Sequence, residues 1–157
     1  MPIESGMPIR VLVADDSAIM LEAIRKLLDG ERQIEIVGEA STFAAAMQMI
    51  ADLKPDVLVL DLHMPQNRGL PAPLVKAQLS CVEYTLAISF ANDEEAKSLA
   101  AGYGAIALLD KMSLYSQLVP SITRLAEPEA SPSYKLELQP GASFIGEKDG
   151  LSLEPSE

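Results

Sequence analysis

Five short apolar runs, four of them closed by a polar residue and each followed by helical periodicity, constrain this chain more than any other feature. The first, Ile9 to Ala14, ends at Asp15-Asp16-Ser17, and Met20, Ala23, Ile24, Leu27 and Leu28 then recur at helical spacing until Gly30. The second run is Ile34 to Val37. Ala45, Met49, Ile50 and Leu53 line the helix after it, with Ser41 or Thr42 as cap and Pro55 beyond its end. The third run spans Asp56 to Asp61, and a weaker helical pattern covers 72–79. Thr85 to Ser89 is the fourth, followed by a helix over Asp93 to Ala101 that opens with acids at its positive end. Ala105 to Leu109 is the fifth. Leu114, Leu118, Ile122 and Leu125 mark a last helix, which Pro120 should kink unless it lies near the first turn. Strands without polar alternation belong to a parallel sheet covered on both faces. Right-handed crossovers then give a doubly wound α/β sandwich, whose ligand site lies at the carboxyl ends of the strands.

Composition agrees with one such domain. The chain has 157 residues, 48% hydrophobic and 22% charged, which is enough for a packed core. No apolar run reaches the ~18 residues of a membrane span, and the first residues lack the basic and apolar segments of a secretory signal. One cysteine, Cys81, excludes an internal disulfide or a cysteine-based zinc site, places the chain in a reducing cytoplasm, and reads as a small buried hydrophobe. Met20, Met47 and Met49 read as core filling. A net charge of −11 argues against direct nucleic-acid binding, which needs a basic face.

The charge is unevenly placed. Residues 1–126 hold 16 acids and 10 bases, whereas 127–157 hold 7 acids, 2 bases and four of the 11 prolines. The organisation expected is an N-terminal extension over 1–7, a domain over 8–126 and a flexible acidic tail over 127–157. Within the tail, Tyr134 to Leu138 alternates weakly like a strand, and no helix-turn-helix output domain fits there. Met7-Pro8-Ile9 repeats Met1-Pro2-Ile3, leaving two candidate starts.

In this topology Asp15 and Asp16 follow the first strand, Asp61 ends the third, Ser89 ends the fourth and Lys111 follows the fifth, so all five converge on one edge. Three carboxylates that close repel one another unless a cation intervenes. An oxygen-only set of this density suits magnesium. Lys111 and the Ser89 hydroxyl complement a small anion such as a phosphoryl group. The chemistry assembled is phosphoryl transfer to a carboxylate.

These motifs resemble the receiver (response regulator) domain of two-component signalling. The matching segments are Val11-Leu12-Val13-Ala14-Asp15-Asp16-Ser17, Val57 to Pro65 with Gly69 beyond, Ala87-Ile88-Ser89 and Leu108-Leu109-Asp110-Lys111. The resemblance covers residues 8–126. It implies a flavodoxin-like (βα)5 sandwich with strand order 2-1-3-4-5. It makes Asp61 the phosphoacceptor, with Asp16, Asp61 and the His63 backbone carbonyl on magnesium and Asp15 acting through water. Ser89 becomes the switch hydroxyl and Lys111 the cation that binds the phosphoryl group. The donor implied is a sensor histidine kinase or histidine phosphotransfer protein. The output implied is protein–protein contact, without a membrane or nucleic-acid partner. Such a chain assists its own phosphorylation and dephosphorylation and is not otherwise an enzyme.

The sequence departs from the family in four places. Leu108 stands where receivers carry Tyr or Phe, and Met112 where many carry proline. Phe90 replaces a small residue directly after the switch hydroxyl, where its ring would sit at the rim of the site. The tail replaces an output domain. His63, two residues past Asp61, would line the mouth. Other readings are the receiver half of a DNA-binding regulator with a separate output domain, a degenerate scaffold, and an aspartyl-phosphate hydrolase of the haloacid dehalogenase type. The last wants an acid where His63 stands.

Overall fold

A computed structural model of the chain describes residues 6–65, 70–127 and 143–144. The elements are β1 (Ile9–Ala14), α1 (Ala18–Leu28), β2 (Ile34–Ala40), α2 (Phe43–Leu53), β3 (Val57–Asp61), α3 (Ala72–Leu79), β4 (Tyr84–Ser89), α4 (Glu94–Gly102), β5 (Ala107–Asp110), a 3₁₀ turn (Lys111–Ser113), α5 (Leu114–Leu125) and β6 (Ser143–Phe144). Strands β1 to β5 are parallel in the order β2-β1-β3-β4-β5, as expected. The two-residue β6 adds an antiparallel pairing beyond β5, matching Ala107 with Phe144 and Leu108 with Ser143. The weak strand signal at Tyr134 to Leu138, residue Gly69 and the rest of the tail lie outside the described residues.

The sheet has apolar clusters on both faces, which is why its strands read as unbroken apolar runs. Leu12, Leu58, Leu60, Ala87 and Leu108 pack with α2, α3 and α4. Val11, Val13, Val57, Val59, Leu86, Ile88 and Leu109 pack with α1 and α5. Every residue of β3 is buried. The helix starts follow local chemistry. Ser17, Thr42 and Asp93 each accept a hydrogen bond from the backbone N–H three residues on, at Met20, Ala45 and Ala96. Glu94 and Glu95 occupy the first turn of α4, where its dipole favours them.

Two local devices join the edge β2 and the β1 start to α2. The ladder between β1 and β2 shifts register after Val11, where Val11 pairs with Ile36 but Leu12 with Gly38. A Cβ on Gly38 would lie 3.1 Å from Leu53 Cδ1 and 3.2 Å from both Leu12 Cδ1 and Met49 Sδ, so glycine lets α2 close on the sheet. Arg10 donates from its guanidinium to the carbonyls of Leu53 and Lys54, each at 2.8 Å, while its backbone N–H donates to Asp56 Oδ2 at 2.9 Å. The C-terminal carbonyls of α2 thereby find donors past Lys54, which takes the left-handed conformation.

One expectation is corrected and others are made specific. Cys81 is exposed, because the turn after α3 carries it outward. Pro120 lies within α5, seven residues into a continuous helix, away from its first turn. Met20, Met47 and Met49 are partly buried and border the clusters. No helix among the described residues is long and apolar enough to cross a membrane.

Candidate functional site

The carboxyl ends of β1, β3, β4 and β5 bring the charged residues together. Parallel register sets their depth: Asp61 pairs with Ile88, and Ser89 with Asp110. Asp15 is fully buried, Asp61 is 3% exposed, and Asp16 faces solvent. One carboxylate oxygen from each lies within 4.8 Å of the other two, an arrangement that could hold a metal ion. Lys111 reaches in from the end of β5, its ammonium 2.8 Å from Asp15 Oδ2 and 3.3 Å from Asp61 Oδ1. Charges this secluded need a partner, and the lysine supplies one to both acids.

Backbone donors add to the charge pairing. Asp15 Oδ1 accepts from the Ser17 N–H at 2.9 Å, and Asp61 Oδ1 from the His63 N–H at 3.1 Å. Burial nevertheless pushes the Asp61 carboxyl above the usual carboxylate range. The His63 N–H opposes this, the charge of Asp15 reinforces it, and Lys111 opposes it again.

Ser89 is fully buried at the end of β4, its hydroxyl oxygen accepting from the Ala91 N–H at 3.0 Å. Phe90 comes next and is 63% exposed, with its ring centroid 5.1 Å from Lys111 Nζ. A cation–π contact of this kind contributes ~0.5–1 kcal/mol at exposed sites. Leu108 is buried in the sheet core beside Ala87, and the His63 side chain is exposed at the mouth.

Helical periodicity did not single out three exposed apolar side chains around this edge: Ile19 (81%), Met112 (76%) and Tyr115 (86%). Met112 and Tyr115 flank a cavity of about 450 Å³ between α1 and α5, with Met20 and Leu27 opposite. The available signal was that Ile19 and Tyr115 fall off the apolar stripes of their helices.

The sequence profile of the response regulator receiver domain matches residues 11–123. The chain belongs to this receiver family. Among curated relatives, protein-glutamate methylesterase/protein-glutamine glutaminase 5 of Myxococcus xanthus is 38% identical over 105 residues, covering 66% of this chain and 30% of that protein. The methylesterase/glutaminase of Pyrococcus abyssi is 35% identical over 110 residues, covering 69% and 30%. The receiver thus spans about a third of the length of these relatives. Among solved structures, the signal receiver domain of NarL from Mycobacterium tuberculosis superposes with a TM-score of 0.67 at 29% identity, covering 78% of this chain and 99% of that one. The CheB response regulator domain of Thermotoga maritima shares the fold, with a TM-score of 0.66 at 24% identity and the same coverage. Receiver domains are phosphoacceptors that work with histidine kinases or phosphotransfer proteins.

Proposed function

We propose that this receiver accepts a phosphoryl group on Asp61 and signals through protein contact. The carrying observation is the clustering of the Asp15, Asp16 and Asp61 carboxylates at a single sheet edge, with the Lys111 ammonium paired to Asp15 and Asp61. The donor set consists of hard oxygens, which fits magnesium. Asp16, Asp61 and the His63 carbonyl would be its ligands, with Asp15 acting through water. A bound magnesium supplies positive charge to the oxygens of the group in transfer.

The chain's own residues do the rest. Asp61 is the nucleophile, Lys111 is placed to pair with the incoming phosphoryl oxygens, and Ser89 is the hydroxyl that turns toward them. Exposed Ile19, Met112 and Tyr115 offer apolar surface beside the site to a histidine kinase or phosphotransfer protein. A cytoplasmic setting follows from such a donor. The names of the curated relatives favour a second reading of the output, in which this receiver governs a methylesterase-type partner.

The test is metal-dependent labelling. With magnesium and acetyl phosphate, intact mass should show one phosphate adduct, and beryllofluoride should give a bound resonance by fluorine NMR. Asp61→Asn should abolish the adduct. Equal labelling of that variant would remove Asp61 from the role.

A further inference from the structure

Phe90 has too little burial for a core role at 63% exposure, yet its ring lies 5.1 Å from the Lys111 ammonium. That ammonium contacts Asp61 and Asp15 at 3.3 and 2.8 Å, and the side chains of Lys111 and Asp61 are only 7% and 5% exposed. The cation thus lies over the ring, while much of the ring meets solvent. β4 ends at Ser89, so Phe90 is the first residue of the loop and can swing aside without disturbing the sheet.

We propose that Phe90 is a specificity-determining residue that screens the Asp61–Lys111 pair. Water and small acyl phosphates reach the pair slowly, whereas a phosphohistidine presented on a protein surface displaces the ring. This rests on Asp61 being the phosphoacceptor. In loading from acetyl phosphate, an Asp61 oxygen forms a bond to phosphorus, the bond from phosphorus to the acetate oxygen breaks, and acetate leaves with the electron pair. In loss, a water oxygen bonds to phosphorus and the bond from phosphorus to Asp61 breaks. The carboxylate keeps the electron pair, and a water proton passes to the released phosphate or the solvent. Both steps need an in-line approach to phosphorus. Ile19, Met112 and Tyr115 give a protein donor surface to press on while it moves the ring, and a small donor has no such hold.

The experiment compares the full-length wild type, Phe90→Ala and Phe90→Tyr with magnesium and acetyl phosphate. Labelling is followed by intact mass, then loss of the adduct after the donor is removed. Phe90→Ala should speed both rates roughly tenfold, about 1.4 kcal/mol of barrier, while Phe90→Tyr should restore wild-type rates. The melting temperature of Phe90→Ala should stay near wild type, since the ring is mostly exposed. Unchanged rates in Phe90→Ala would overturn the proposal and leave the ring with packing alone. Faster rates in both variants would also overturn it, because an aromatic ring at this position would then not screen. Absence of labelling and of beryllofluoride binding in all three proteins would overturn the phosphoacceptor reading itself. Asp61→Asn is the control that separates these failures.

Discussion

The Ser89 hydroxyl oxygen accepts a hydrogen bond from the backbone N–H of Ala91 at 3.0 Å, tying the loop after β4 to the end of its own strand. On the proposed function, turning that hydroxyl toward a phosphoryl group on Asp61 would break the tie and free the lead into α4. Leu108 has no hydroxyl or ring to move in response, and it is fully packed in the core. Hydrogen exchange with and without beryllofluoride should therefore change most between Ser89 and Ala101. Ser89→Ala should abolish the difference at a stability cost of about 0.5–1.5 kcal/mol. A response confined to α5 would contradict this route.

Lys111 neutralises two secluded acids at once. Lys111→Met should destabilise the domain by about 2–4 kcal/mol in the presence of a chelator, because the acids lose their counter-charge. Magnesium should recover part of that loss. Melting curves with chelator and with magnesium measure both effects, and a chelator-independent difference would argue against a shared charge cluster.

The Asp61 carboxyl is held above the usual range chiefly by burial. The folded state therefore binds this proton more tightly than the unfolded chain. The resulting stabilisation is full below the ordinary carboxylate pKa and is lost as pH rises through the higher folded value. Asp61→Asn should consequently raise stability at neutral pH, read as a higher melting temperature than wild type. In acid the advantage should vanish. A neutral-pH loss would mean that pairing with Lys111 outweighs burial.

Gly38 sits under α2 with three side-chain atoms within 3.2 Å of where a Cβ would stand. Gly38→Ala should cost about 1–3 kcal/mol through overpacking. The change is remote from the charged edge, so labelling at Asp61 should be unaffected. Urea denaturation combined with the mass assay separates stability from chemistry.

Among the described residues, the β5 edge carries a two-residue pairing with Ser143–Phe144. Truncation after Glu127 removes no described residue of either core cluster, and the melting temperature should fall by less than about 2 °C. A larger loss would assign the segment a packing role.

The buried strands were legible because apolar runs on both faces leave few alternatives. Asp15, Asp16, Asp61, Ser89 and Lys111 were legible because each closes or follows a run. Boundaries set by tertiary pairing were not: β2 runs on to Ala40, past the apolar Ile34 to Val37, because β1 continues to pair with it beyond the register shift. Cys81 was misplaced since its type favours burial while its position in a turn decides exposure. Arg10 reaches carbonyls more than forty residues away, and no local pattern encodes that. The contact of Phe90 with Lys111 joins two strand ends, so sequence could place Phe90 at the rim but could not choose its partner.

Parallel register fixes the heights of Asp61, Ser89 and Asp110 on one frame of backbone hydrogen bonds. Most of that frame is buried, so it resists yielding locally when one carboxylate changes its charge. On the proposed function, a message written at Asp61 would leave sideways through the loops, with the strands beneath as the fixed bench on which it is read. Variation in what this chain talks to can therefore accumulate in the loops and helix faces while the writing surface stays in tolerance.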